Sequence, residues 1–128
     1  MFVDSFAQYI QKVTNAKLDV TGTGVTTLYT APTAASFVII NSILVSEDTG
    51  NADTLTVTLT NGASVFSLFK TAAIGANGTV ELLLKDLVLQ PTEILKVTAA
   101  TGNRLHVVAG VQEFVRSVAG RVPQYNNY

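Results

Sequence analysis

The most constraining stretch of this chain is Thr54–Thr60, TLTVTLT, in which Leu55, Val57 and Leu59 face one way and four threonines the other. A period of two residues belongs to a strand with one face on a core, and it cannot be reconciled with the 3.6-residue period of a helix. Asn61-Gly62 follows at once and supplies the positive φ angles of a tight hairpin turn, so Ala63 to Lys70 is predicted to return as the paired strand. Threonine contributes 17 of the 128 residues, and with Val and Ile it is what half-buried pleated surfaces favour.

The same grammar runs from about Lys17 to Glu113. Thr26–Thr30 leads into Ala31-Pro32, where the missing amide donor ends pairing, and Phe37–Ser46 reads as a longer, nearly continuous apolar strand. Glu47–Asp53, EDTGNAD, reads as a loop, Asn77-Gly78 turns the chain into Thr79–Leu84, and a short LVL segment at Leu87–Leu89 precedes Pro91. Ile94–Ala99 and Leu105–Val111 are predicted to form a second hairpin across Thr101-Gly102-Asn103. Seven or eight short strands punctuated by Gly, Asn and Pro predict an all-β fold, an antiparallel β-sandwich of jelly-roll-like or Ig-like type.

Two flanking segments read differently. In residues 1–15, Phe2, Phe6, Tyr9, Ile10 and Val13 recur at spacings of three and four, one side of a helix, with Asp4 placed to cap it and Asn15 to stop it. An isolated helix this short is marginal in water, so an extended arm fits the same residues. Residues 114–128 lose the alternation and carry Arg116, Gly120, Arg121, Pro123 and a terminal QYNNY, which suits an extended tail. The expected organisation is thus an arm (1–15), a sandwich (16–113) and a tail (114–128). No basic, apolar export signal opens the chain, and its longest apolar run, Phe37–Val45, falls far short of the roughly 20 residues that span a bilayer.

Charge is scarce. Area scaling gives about 6,500 Å² of surface for a monomer of this mass, so eight basic and nine acidic residues leave roughly 400 Å² to each charge. Only 13% of residues are charged, against about 25% in ordinary domains. Threonine-covered strand faces account for part of the deficit; the apolar N-terminal arm and the tail are where burial against partners is expected. A net charge of −1 offers no field for gripping phosphates, which excludes a general nucleic-acid binder, and the absence of cysteine excludes disulfides and Cys-based zinc sites.

Motifs that carry chemistry are few, and no cofactor and no small-molecule substrate are implied. The lone histidine, His106, alternates with Leu105 and Val107 and so points away from the core, and no G-x-S-x-G elbow exists to supply a nucleophile. Asp48, Asn51 and Asp53, beside Glu47, gather hard oxygen donors as a weak calcium candidate, although the spacing is not that of an EF-hand and such loops are ordinarily solvated turns. Gly22-Thr23-Gly24 lacks the third glycine and the helix of a phosphate cradle, and Asn77-Gly78-Thr79 reads as a turn. All three arginines, Arg104, Arg116 and Arg121, fall in the last 25 residues, which predicts a tail that finds carboxylates on a neighbouring subunit.

The order of segments then becomes informative. LYTAP, SFVIINSILVSEDTGNADTLTVTLTNG, AANGTVELLLKDLVLQPTEILKVTA and LHVVAGVQEF, spanning roughly Leu28 to Phe114, resemble the small β-sandwich proteins of tailed bacteriophage particles. The resemblance implies a non-enzymatic virion protein assembled in the host cytoplasm. It would be a head decoration or cement protein or a neck or tail ring component, a homo-oligomer bound to capsid or tail subunits and to neither nucleic acid nor membrane. On that reading Phe2, Phe6, Tyr9, Ile10, Arg116, Arg121, Tyr125 and Tyr128 are the expected partner-binding residues. A carbohydrate-binding or adhesin module is the competing expectation, disfavoured by the absence of Trp and by only four Tyr, three of them in the flanking segments.

Overall fold

The computed structural model describes residues 9–116. Their regular structure is all strand: β1 (Tyr9–Val20), β2 (Thr26–Thr30), β3 (Phe37–Glu47), β4 (Asp53–Asn61), β5 (Ser64–Ile74), β6 (Thr79–Glu81), β7 (Leu87–Leu89), β8 (Ile94–Ala99) and β9 (Leu105–Arg116). One sheet has the order β1-β9-β3-β6, with β7 also on β3, and the other β2-β8-β4-β5, all antiparallel. Each of the first four strands enters the sheet its predecessor is not in. This is jelly-roll connectivity; an Ig-like sandwich would place its first two strands side by side in one sheet.

The alternation read from TLTVTLT holds in space. Leu55, Val57 and Leu59 of β4 pack inward with Leu95 and Val97 of β8, against Val38, Ile40, Ile43 and Val45 of β3 and Leu105, Val107, Ala109 and Val111 of β9. The β4–β5 hairpin forms, but with Gly62-Ala63 as its central pair. Only Gly62 takes a positive φ, the pattern of a turn that needs glycine at its first central position. β6 and β7 are two halves of one interrupted strand, pairing with Leu44–Ser46 and Val38–Ile40 respectively. At the break Glu81 takes over from main-chain pairing: its carboxylate accepts from Ser42 Oγ, from the Ile43 amide at 2.7 Å and from the Leu83 amide at 3.1 Å.

Two expectations are corrected. Ile94–Ala99 and Leu105–Val111 do not pair as a hairpin: β8 lies between β2 and β4, and β9 lies between β1 and β3 in the facing sheet. The Thr101-Gly102-Asn103 link crosses between sheets. Asn103 has φ 62° and donates its amide to Val20 O at 2.9 Å, so the link is fastened to the end of β1. The helical reading of the N-terminal segment fails wherever it is described. Tyr9–Asn15 is strand, registered residue for residue on Arg116–Gly110, because a 12-residue ladder on β9 supplies hydrogen bonds and a buried face (Leu18, Val20) that a lone helix would lack. Phe2, Asp4 and Phe6 lie outside the described residues. β1 and β9 therefore carry the sheet across the positions where arm and tail were expected to join it.

Gly102 is the tightest glycine. A Cβ there would strike the backbone oxygen of Thr21, whereas a Cβ on Gly110 would meet only the Asn41 carboxamide, the movable end of an exposed side chain. Gly102→Ala is expected to lower stability by about 1–3 kcal/mol and Gly110→Ala by less than about 1 kcal/mol, as measured by urea unfolding.

Candidate interaction surface

The strand directions sort the molecule into two unlike ends. At one end Tyr9 is opposite Arg116, so the chain enters and leaves the sheet through adjacent strands; the turns 31–36, 62–63 and 90–93 share this end. At the other end Val20 is opposite Leu105, beside the loops 21–25, 48–52, 75–78 and 100–104.

Apolar side chains gather on the first end with no cover from the other described residues. Phe37 stacks on Phe114 with ring centroids 4.7 Å apart, and Tyr9 meets Phe37 edge-on at 5.5 Å. These three rings lie on the outer face of the β1-β9-β3 sheet, and Ser36 fixes the corner, donating its amide to Phe114 O (2.8 Å) and accepting the Arg116 amide at Oγ (3.3 Å). On the inner face of the same ribbon Ile10 is registered with Val115 and is 61% exposed. Val13, Val88 and, near the hairpin turn, Val65 and Phe66 are exposed as well, Phe66 to 55%. Exposed large apolar side chains clustered in this way mark an interaction surface. Between the sheets at this end, the Tyr29 hydroxyl donates to Glu113 at 2.6 Å; burial, the bond and the neighbouring charge all push that hydroxyl's pKa up.

The opposite end is mainly polar, although Val25 in the 21–25 loop is 67% exposed. Glu47, the last residue of β3, is buried, and its carboxylate accepts the amides of Thr49 (2.8 Å), Gly50 (3.1 Å), Asn51 (3.1 Å) and Asn77 (2.8 Å) together with the Thr49 hydroxyl. Burial works to raise this carboxyl; the Thr49 hydroxyl and the amides of Asn77, Thr49 and Gly50 outweigh it and hold it down at about 2. Beside it, His106 lies between two exposed carboxylates, with Nε2 3.4 Å from Asp19 and Nδ1 3.7 Å from Asp48.

Of the expected partner-binding residues, the structure brings Tyr9, Ile10 and Arg116 together at one corner; Phe2, Phe6, Arg121, Tyr125 and Tyr128 lie outside the described residues. The calcium candidate does not assemble. Asp48 turns to His106, Asp53 is buried and accepts the Thr101 amide at 3.2 Å, Asn51 donates to Thr49, and Glu47 is saturated by amides. Among the described residues no three His, Asp or Glu side chains converge on a metal position. Arg104 is no part of a basic tail: it donates to Ala52 O at 3.0 Å, bracing the 48–52 loop. His106 does point outward as expected. Ser46 stands opposite it on β3, yet both imidazole nitrogens face carboxylates, so Ser46 has no base. Sequence reasoning missed Glu47 as a structural anchor; the available signal was an acid at a strand end followed by Thr-Gly-Asn, whose amides fold back over it.

No known protein family and no curated protein sequence matches the chain. Solved structures do match in fold. A chain of the Bacillus endospore appendages, described as disulfide-linked pili, superposes with a TM-score of 0.54 at 8% identity, over 85% of this chain and 90% of that one. A chain from the acid-stable capsid of Helicobacter pylori bacteriophage KHP30 gives 0.50 at 11% identity, over 87% of this chain and 98% of that one. A chain of the IBDV viral particle gives 0.54 at 12% identity, over 88% of this chain but 32% of that one. The similarity is one of architecture.

The low carboxyl pKa values translate into acid sensitivity. Glu47, and Glu81, whose carboxyl is raised by burial but lowered further by Ser42, Ile43 and Leu83, bind protons more weakly folded than unfolded. Their contribution is complete above the ordinary 4.5 and is lost as pH falls, for Glu47 through about 2. Thermal midpoints are expected to drop over that window. Glu47→Gln should lower the midpoint at pH 7 and flatten the acid limb; an unchanged acid limb would show that the amide cradle does not hold the charge.

Proposed function

We propose that the chain is a non-enzymatic structural subunit of a virus particle, specifically a head decoration or cement protein that binds neighbouring capsid subunits; a neck or tail ring is the second location. The observation carrying this reading is the jelly-roll connectivity combined with the meeting of Tyr9, Arg116 and several exposed apolar residues at one end of the sandwich. Jelly rolls recur in viral capsid, lectin and cupin domains. A sugar site usually stacks its ligand on Trp or Tyr; the chain has no Trp, and the two described tyrosines are engaged, Tyr29 with Glu113 and Tyr9 with Phe37. The likeness to the KHP30 capsid chain, which spans nearly that whole chain, supports the same choice.

The mechanism is thermodynamic. A copy that docks its apolar end removes surface from water on two or more neighbours, and whatever binds only the assembled state stabilises that state by mass action. Phe2, Phe6, Tyr9 and Ile10 supply apolar anchors, Tyr125 and Tyr128 aromatic ones, and Arg116 and Arg121 the charged rim. The protein belongs to the virion on this reading and assembles in the host cytoplasm.

Mass spectrometry of purified wild-type particles is expected to find the chain in fixed ratio to the shell protein; its absence from those particles overturns the proposal. Removing residues 1–8 leaves β1 complete. The truncated sandwich is expected to keep its circular dichroism and lose co-sedimentation with particles lacking the native protein, and retained co-sedimentation would remove the arm from the mechanism.

A further inference from the structure

The edges of the two sheets are unequal. β2 is five residues long and interrupted by a register shift, β6 and β7 have three residues each, and β5 carries two register shifts and Lys70. Short, bulged or charged edges resist pairing with another chain. β1 is different: its 12 residues are registered on β9 without a single shift, and among the described residues its other side bonds to no strand. Its first five residues, Tyr9–Val13, are exposed although they lie in a sheet.

Eight residues precede β1, and their sequence complements β1 itself. With two copies of residues 1–15 run antiparallel about Gln8, Val3 falls opposite Val13, Asp4 opposite Lys12, Ser5 opposite Gln11, Phe6 opposite Ile10, Ala7 opposite Tyr9, and Gln8 opposite Gln8 of the other copy. Acid meets base, apolar meets apolar and amide meets amide, twice over because the arrangement is two-fold. The pairing also respects the faces of β1. Even-numbered residues of β1 point inward, as Leu18 and Val20 do, and cross-strand partners share a face, so in this pairing Phe6 of one copy would cover the exposed Ile10 of the other. A two-fold interface asks for this self-complementarity.

We infer that two copies of the chain associate through antiparallel pairing of residues 1–15 about a two-fold axis at Gln8, joining their β1-β9-β3 sheets into one. This gives the N-terminal arm of the proposed function its partner, and it rests on that reading only in treating the arm as an intersubunit contact. The occupant is a second copy because the residue that complements Lys12 on this edge, Asp4, is in the chain itself.

The chain has no cysteine, so introduced ones report cleanly. Gln8→Cys is expected to give a disulfide-linked dimer under mild oxidation. Lys17→Cys, exposed on the same strand, should stay monomeric in denaturing gels, since the pairing separates the two Lys17 positions by roughly 60 Å. In sedimentation the wild type should be dimeric. Asp4→Lys alone should weaken association at least about tenfold, and Asp4→Lys with Lys12→Asp should restore it. A monomeric wild type, as an arm folded on its own sandwich would give, overturns the inference. So does equal cross-linking at both cysteines, or failure of the double exchange to restore a dimer whose circular dichroism is native. None of these outcomes bears on whether the chain is found in particles, which tests the functional reading separately.

Discussion

The sandwich depends on β9. It is the one strand paired along nearly its full length on both sides, to β1 over all 12 residues and to β3 over most of the same span. Its inward residues Leu105, Val107, Ala109 and Val111 lie at the middle of the core. Removing water from such a face contributes roughly 25 cal/mol per Å² of apolar area, and the flanking hydrogen bonds are what allow the backbone into that dry interior at all. Because β9 is late in sequence and pairs with the first and third strands, the β1-β9-β3 part of the sheet cannot close until residues 105–116 are available, which predicts slow folding of high contact order.

The two ends express opposite uses of the same framework. Glu47 is a charge in a buried position, tolerated because backbone amides from the 48–52 and 75–78 loops converge on it. Those amides would themselves lack partners without it. The cradle turns two loops and a strand end into one rigid corner. At the other end nothing comparable gathers among the described residues: Ile10 is registered with Val115 and stays exposed, and the aromatic group Tyr9–Phe37–Phe114 covers only the outer side. A satisfied, mainly polar end and an end with exposed apolar side chains give the molecule a direction.

What was legible in the sequence was local. The period of two in TLTVTLT, the glycine after Asn61 and the prolines after Thr30 and Leu89 act within a few residues, and the strands they imply are present. What was not legible was pairing at a distance. Gly102 and Asn103 signal a turn in either case, and only the sheets show that β8 and β9 separate there. β1 was obscured because Lys17 and Asp19 point outward and Phe2 to Val13 repeat at helical spacing, while its partners on the β9 ladder that decides the matter are 85 to 107 residues away in the chain. The site followed the same rule. Tyr9, Ile10 and Arg116 are identifiable as unusual residues outside a core pattern, but their meeting at one corner is a property of register. Likewise, Asp19, Asp48 and His106 come from three elements with no sequence trace of their proximity.

The interruption between β6 and β7 has a bearing on use of the fold as a scaffold. The chain leaves the sheet after Glu81, is held at Leu82 by a bond to Ile43 O, and returns at Leu87; between them Leu84 is 98% exposed. Both shoulders are anchored and the tip touches nothing, so a peptide inserted beside Leu84 would meet mainly the entropy of a longer loop, which grows only with the logarithm of its length. If subunits join through β1, this tip is on the opposite flank of the sheet, and an epitope carried there would be presented outward from the assembled pair.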